Sequence, residues 1–351
     1  MTSVRILHAS DLHISSASNI TSPFDHFTPG TLFDAVVEKM LVSTYDPAVL
    51  LRLADFIHAQ AARGALDAVL LTGDIATTGD IDDLNKALEF IEATPDPRMP
   101  SLTTEKEPTL GGLDIPVWLL PGNHDRYKVG PRYTMSGLIY APGGEEFDAV
   151  FEEYWQGPVM SFSSSEYGLN VYQPLIRDRL AVVVVGVDFN LHATDNCDRP
   201  YGWLAQGKVY DDILNKLADV TMDRVRECQT QGSTHVCVIW AMHFPPKYPK
   251  ISPYLKLIDS ELLILRANRC GIKAILAGHT HDPVRYRRPE MKFDVFCAGT
   301  ASQAFAPGGN HCRVLEVTSD HSGNISIASE DYRYRGFSNG VITNRSGFYR
   351  V

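Results

Sequence analysis

The chain has no apolar run long enough to cross a bilayer. Its longest, Leu180 to Val187, falls far short of the roughly 20 residues a helical span requires. Positive charge is also short. The 32 Lys and Arg stand against 42 Asp and Glu, a formal net charge of -10. That excludes a broad basic field able to hold a nucleic-acid backbone. Cysteine is sparse and scattered, at Cys197, Cys228, Cys237, Cys270, Cys297 and Cys312, with no CxxC pair. A thiolate metal site and a disulfide framework are both set aside; these residues read as small buried hydrophobes in a reducing cytoplasm. The first residues lead directly into a strand pattern and lack the basic region, apolar core and cleavage site of a secretory signal. There is no internal repeat, low-complexity tract or heptad. The expectation is therefore a cytoplasmic protein without membrane association.

What is present is a 351-residue chain, 44% hydrophobic, enough for one large α/β domain, with or without insertions. One layout recurs in it. Arg5 to Ser10 is an apolar, strand-like run that stops at Asp11-Leu12-His13. Ala68 to Thr72 stops at Gly73-Asp74. Val117 to Leu120 stops at Pro121-Gly122-Asn123-His124-Asp125. His235 to Met242 stops at His243, and Lys273 to Ala277 at Gly278-His279-Thr280-His281. Polar groups at the carboxyl ends of buried strands gather at the rim of a sheet, where ligands of layered α/β proteins bind.

Between these runs lie amphipathic helices. Residues 48 to 63 are helical, with Asp46-Pro47 as a start signal and Gly64 as the closing cap. Ile81 to Ala93 is helical, with Asp80 at the N-cap and Asp82 and Asp83 in the first turn. Thr31 to Leu41, residues 207 to 229 and Ser260 to Cys270 carry the same periodicity, and Phe147 to Trp155 reads as a short helix. Leu169 to Pro174 and Leu180 to Asp188 read as neighbouring strands, the second buried on both faces. Phe293 to Ala298, Arg313 to Val317 and Ile325 to Ala328 are further strands. Strands alternating with helices, then crowding together, predict a four-layer αββα sandwich: two mixed β-sheets flanked by helices.

Two Asp, one Asn and four His form a mixed oxygen and nitrogen donor set. It suits Mn, Fe, Zn, Co or Ni better than Ca or a thiolate site. Seven donors exceed the needs of one transition ion and fit two, provided one carboxylate bridges. Asp74, short and directly after a glycine, is the natural bridge. Two such ions, roughly 3.5–4 Å apart, share a hydroxide and grip a phosphoryl group, and bound water then becomes a nucleophile near neutral pH.

In this order, Asp11-x-His13, Gly73-Asp74, Gly122-Asn123-His124-Asp125, His243 and Gly278-His279-x-His281 resemble the full motif set of the calcineurin-like metallophosphoesterases. The resemblance covers residues 4 to 282 and continues more weakly to 332. It implies one domain, 1-332, with insertions at about 14-47, 94-113 and 126-165, then a C-terminal tail, 333-351. It implies that Asp11, His13, Asp74 and His281 hold one divalent or trivalent ion (Mn, Fe or Zn). Asp74, Asn123, His243 and His279 would hold the second. Asn123 and His124 would face the substrate, with His124 stabilising the transferring group or protonating the leaving oxygen. Gly186-Val187-Asp188, Gly202-Trp203-Leu204 and Gly299-Thr300-Ala301-Ser302-Gln303 resemble the class III cyclic nucleotide phosphodiesterase and glycerophosphodiesterase branch. One departure stands out. Relatives often carry a second acid shortly after Gly-Asp, which orients the catalytic histidine. Here Ile75-Ala76-Thr77-Thr78-Gly79 follows, and a threonine takes the acid's place.

Other conspicuous residues receive plainer readings. His8 is a packed core histidine or a group behind the ligands. Asp125 is a group behind the ligands or a turn residue, Asp188 a strand-end residue, and His192 and His311 belong to the surface. Tyr127, Tyr133, Tyr140 and Tyr154 pack under a long loop. Arg285, Arg287, Arg288 and Lys292 form a solvated strand end. The function expected is metal-dependent hydrolysis of a small phosphodiester, of cyclic nucleotide or glycerophosphodiester type. A phosphomonoesterase or nucleotide pyrophosphatase on the same metals is the alternative. A nuclease and a non-catalytic scaffold rank lower, and the sequence carries no signal for oligomeric state.

Overall fold

The computed structural model describes residues 2–16, 45–77, 79–93, 109–126, 132–134, 137–139, 145–155, 159–162, 165–190, 207–250, 257–303, 309–336 and 346–351. The expected helix at Thr31 to Leu41, most of the 94–113 excursion, His192, Cys197 and Gly202-Trp203-Leu204 lie outside these residues. In chain order come β1 (Thr2–Ala9), α1 (Pro47–Ala62), β2 (Ala68–Thr72), α2 (Ile81–Glu92), β3 (Val117–Leu120), a 3-10 turn at His124–Arg126, β4 (Arg132–Thr134), β5 (Gly137–Ile139), α3 (Glu145–Val150), β6 (Val159–Phe162) and β7 (Ser165–Val171). Then follow β8 (Leu175–Arg177), β9 (Leu180–Val187), β10 (Gly207–Lys208), α4 (Asp211–Thr230), β11 (His235–Ala241), β12 (Leu257–Ile258), α5 (Ser260–Cys270), β13 (Ala274–Ala277), β14 (Val284–Tyr286), β15 (Asp294–Cys297), β16 (His311–Ser319), β17 (Ile325–Arg335) and β18 (Gly347–Arg350).

Two mixed sheets form the centre. The first has the order β18-β17-β16-β1-β2-β3, and the second β14-β15-β13-β11-β9-β7-β6, with β8 also paired to β9. In the first, β1, β2 and β3 run parallel and β16 returns antiparallel beside β1. In the second, β9, β11, β13 and β15 run parallel. Small antiparallel (β4–β5) and parallel (β10–β12) pairs lie apart from them.

β9 explains the layering. All eight of its residues are buried. Leu180, Val182 and Val184 join the core that reaches through the first sheet to Leu50, Leu53 and Ile57 of α1 and Leu84 and Phe90 of α2. Ala181, Val183, Val185 and Val187 point the other way, into a core with Ile213 and Leu217 of α4 and Leu263 and Ala267 of α5. Alternation places successive side chains on opposite faces. A strand apolar at every position therefore needs a layer on each side. Each buried Val or Leu contributes about 1.5–3 kcal/mol by leaving water. The order of layers is thus α1 and α2, first sheet, second sheet, α4 and α5.

Local chemistry sets the ends. Asp46 caps α1, its carboxylate accepting from the amides of Ala48 and Val49 at 2.9 and 3.3 Å, with Pro47 in the first turn. Such a cap is worth about 1 kcal/mol. Gly64 follows the helix at φ +64. Asp80 stands at the N-cap of α2 without a capping hydrogen bond from its side chain. Asp83 instead turns to Ser15 and Ser16, accepting from the Ser16 amide at 2.8 Å. The helix expected from residue 207 begins at Asp211, because Gly207 and Lys208 pair with Leu257 and Ile258. β16 and β17 run longer than their apolar patterns, and β18 adds an edge strand from a stretch with no periodicity. The five described cysteines, Cys228, Cys237, Cys270, Cys297 and Cys312, are free.

Candidate metal centre

β1, β2, β3, β11 and β13 end side by side across the two sheets, and the residues beyond them meet. Atoms of Asp11, His13, Asp74 and His281 lie within 4.8 Å of one another, and so do those of Asp74, His243 and His279. Asn123 joins the second set through Oδ1, 3.0 Å from His243 Nε2. All seven residues expected as ligands therefore come to one place, with Asp74 common to both sets. Six are buried, and His281 is partly open to solvent. The backbone works for this. Asp11, His13, Asp74, His279 and His281 sit at φ +55, +53, +50, +67 and +51. Asp and His tolerate the left-handed region better than most residues, but each such position is unfavourable and persists only where its surroundings enforce it.

The polar atoms fit a cation. Asp11 Oδ1, His13 Nδ1 and His279 Nε2 are buried and lack a hydrogen-bond partner among the described residues. His13 Nε2 and His281 Nε2 face each other at 3.4 Å, and His281 Nε2 lies 3.1 Å from Asp11 Oδ1. Buried polar atoms almost always find partners. For Asp11 Oδ1 and His279 Nε2, on residues of the two separate donor sets, a cation in each set would supply the partner that rule asks for.

Electrostatics agrees at His13, His279 and Asp74. Burial, and then the neighbouring His124, hold His13 well below the usual imidazole range; burial and His243 do the same for His279. Both are neutral, as ligation requires. Burial opposes charge on Asp74, but His243 and His124 outweigh it and keep the carboxylate ionised. Burial likewise opposes a proton on His243, yet the Asp74 carboxylate, 3.2 Å away, raises that group to about 9. Burial is opposed at His281 by Asp11, which raises it.

Groups behind the ligands orient them. His243 Nδ1 donates to the Thr72 carbonyl at 2.8 Å, which turns Nε2 to the site. His8, the histidine read as core, is fully buried and bonds Thr72 Oγ1 through Nε2 at 2.9 Å. Asp125 accepts from the amides of Ala76 and Gly122 at 2.8 Å and Ile75 at 3.2 Å, joining the loops after β2 and β3. Burial, then the charge of Asp74, pushes it up to about 7. Gly122 permits this closeness, because a Cβ there would meet the side chain of Asp74.

His124 stands beside the ligands, its ring 4.8 Å from that of His13 and edge-on. Its Nδ1 lies 2.8 Å from the Thr77 carbonyl. A carbonyl only accepts, so Nδ1 carries the proton and Nε2 is the remaining nitrogen. The missing acid is thus replaced by a backbone oxygen of the very segment that lacks it. Sequence reading could not find this partner, since every residue carries a carbonyl.

The plainer readings sort as follows. Asp188 belongs to neither set; it pairs at 2.8 Å with buried Arg126, which also binds Asp148. His311 is not on the surface. It is buried between Asp331, 3.1 Å from Nε2, and the Gly299 amide, which donates to Nδ1 at 3.3 Å. Arg285 and Arg287 are exposed and paired with Asp294, as a solvated strand end requires.

Comparison with known proteins agrees with this geometry. The sequence model of the calcineurin-like phosphoesterase family matches residues 4–283. No curated protein matches the sequence. Among solved structures, a dimetal phosphatase from Danio rerio shares the fold: 13% identity, TM-score 0.51, covering 90% of this chain and 94% of that one. A putative 5'-nucleotidase from Staphylococcus aureus aligns at 13% identity and TM-score 0.47 over 93% of this chain and 53% of its own. Among the described residues, no helix is long and apolar enough to cross a membrane.

Proposed function

The chain belongs to the calcineurin-like phosphoesterase family, and from that premise we propose that it is a dinuclear metal-dependent phosphodiesterase acting on small diesters, of cyclic nucleotide or glycerophosphodiester type. The observation that carries this is the pair of donor sets sharing Asp74. Asp11, His13, Asp74 and His281 would hold one transition ion, and Asp74, Asn123, His243 and His279 the other. When bound, such a pair supplies water activation at neutral pH and charge neutralisation at phosphorus. The chain's own residues do the rest. Asp74 stays ionised and reaches both sets, its Oδ1 steadied by the His124 amide at 2.8 Å. His124, oriented at Nδ1 by the Thr77 carbonyl, would as the imidazolium give its second proton, on Nε2, to the leaving alkoxide. The partly open side at His281 is the way in for substrate.

Among the described residues, Arg126 is bound to Asp148 and Asp188, Lys250 to Asp282, and Arg285 and Arg287 to Asp294. A diester carries one negative charge fewer than a monoester and asks less of such groups, which supports the diester reading. The free cysteines suit a cytoplasmic setting. The test compares bis(p-nitrophenyl) phosphate with p-nitrophenyl phosphate in the presence of Mn, for the native chain and for Asp74→Asn. Faster turnover of the diester, abolished by the substitution, is expected. Equal rates for the native chain and the variant would refute the metal reading, and preference for the monoester would refute the substrate reading.

A further inference from the structure

The loop that delivers Asp11 and His13 is held in a way the ligand chemistry leaves unexplained. It passes through the left-handed region twice within three residues, at φ +55 and +53. Its amides are used in pairing with the next loop: Asp11, His13 and Ile14 donate to the carbonyls of Gly73, Asp74 and Ile75 at 3.0, 3.0 and 2.8 Å. That leaves three consecutive carbonyls, of Asp11, Leu12 and His13, turned away from that pairing in a buried site. Each receives a side-chain hydroxyl. Thr300 Oγ1 donates to Asp11 O at 2.8 Å, Ser302 Oγ to Leu12 O at 2.6 Å, and Thr77 Oγ1 to His13 O at 2.5 Å. The three hydroxyl residues are no more than 4% exposed. Thr300 and Ser302 arrive from the loop after β15 in the second sheet; Thr77 arrives from the loop after β2 in the first. The Ala301 amide adds a bond to Ser10 O at 3.0 Å.

We infer that Thr300, Ser302 and Thr77 are positioning residues: a hydroxyl clamp that fixes the Asp11-Leu12-His13 backbone so that Asp11 and His13 converge on the first cation. The inference rests on the dinuclear reading above and assigns it residues beyond the ligands. Buried carbonyls need donors wherever they lie. The clamp goes further than that need, because two of the three peptides it grips carry ligand side chains in a backbone conformation that the chain does not choose unaided. Groups that hold ligands from behind commonly govern metal affinity, and losing one costs roughly 10–100-fold. Thr300 and Ser302 also give a physical role to the segment Gly299-Thr300-Ala301-Ser302-Gln303, which drew notice in the sequence without one.

The full-length chain, stripped of metal and titrated with Co, tests this by calorimetry and by the visible absorption of bound Co, neither of which needs turnover. The variants are Thr300→Val, Ser302→Ala and the two combined. Thr300→Ser restores the hydroxyl. Thr221→Val removes a buried hydroxyl elsewhere, one that bonds Trp240 Nε1 and the Leu217 carbonyl. The native chain takes up two equivalents of Co. Each single clamp variant, which also serves if the combined one does not fold, loses affinity for one equivalent by about tenfold or more. Thr300→Ser and Thr221→Val titrate like the native chain. Clamp variants that bind both equivalents with native affinity overturn the inference, as does an equal loss in Thr221→Val, which would mark a general effect of destabilisation. A native chain that binds no Co overturns the dinuclear reading itself, and the clamp with it.

Discussion

Replacing Gly73 by alanine perturbs the centre without replacing a ligand. Gly73 precedes Asp74 at φ +89, and a Cβ built there would lie 2.6 Å from Gly122 N and 2.6 Å from His243 Nδ1. Ordinary contact begins at 3.4 Å, so the imidazole would have to retreat by 0.8 Å. It has little freedom to do so. Nδ1 is tied to the Thr72 carbonyl at 2.8 Å, and Nε2 sits 3.0 Å from Asn123 Oδ1. The other neighbour is backbone and also fixed. Left-handed strain costs about 1–2 kcal/mol and overpacking about 1–3 kcal/mol. Together they destabilise the metal-free chain by about 2–5 kcal/mol. Urea unfolding in the presence of chelator measures this as a lowered midpoint. Co titration of the same variant should show weakened binding at the set containing His243. A midpoint within about 0.5 kcal/mol of native, the range of an ordinary surface change, would refute the packing argument.

Two further outcomes are expected. His124→Ala should lower kcat on bis(p-nitrophenyl) phosphate by about 10²–10⁴ with Mn stoichiometry unchanged, since the His124 side chain belongs to neither donor set; elemental analysis beside kinetics checks both halves. Asp331 should govern acid stability at the β16–β17 edge. Burial opposes its charge, but His311 and Arg313 bind the carboxylate and depress its pKa in the folded chain. The stabilisation is therefore complete above the unfolded carboxyl value of about 3.9 and is lost as pH falls through the lower folded value. Asp331→Asn should unfold more readily near neutral pH and lose that acid dependence, read by far-UV circular dichroism across an acid titration; an unchanged acid profile would contradict the assignment.

The parts of this molecule that read from sequence are those where a local pattern and the fold agree. Val117 to Leu120 ends in Pro121-Gly122 and then polar groups, and the structure ends β3 there. β9 is apolar at every position and lies between two layers. The parts that did not read are those set by distant partners. Gly207 and Lys208 are strand because Leu257 and Ile258 lie beside them. β17 continues through Ser329 to Arg335 on ladder bonds to β16, with an open face that needs no apolar residues. His311 gives no sign of burial until the register sets it near Asp331. At the centre, residue types named the candidates, but what orients them is backbone oxygen. The carbonyls of Thr72 and Thr77 direct His243 and His124, and a carbonyl leaves no mark in a sequence.

The central claim is that two cations share Asp74. Anomalous diffraction from crystals grown with Mn tests it most directly. The account predicts two peaks roughly 3.5–4 Å apart, one among Asp11, His13, Asp74 and His281, the other among Asp74, Asn123, His243 and His279. A single peak, or peaks that do not touch Asp74, would contradict it.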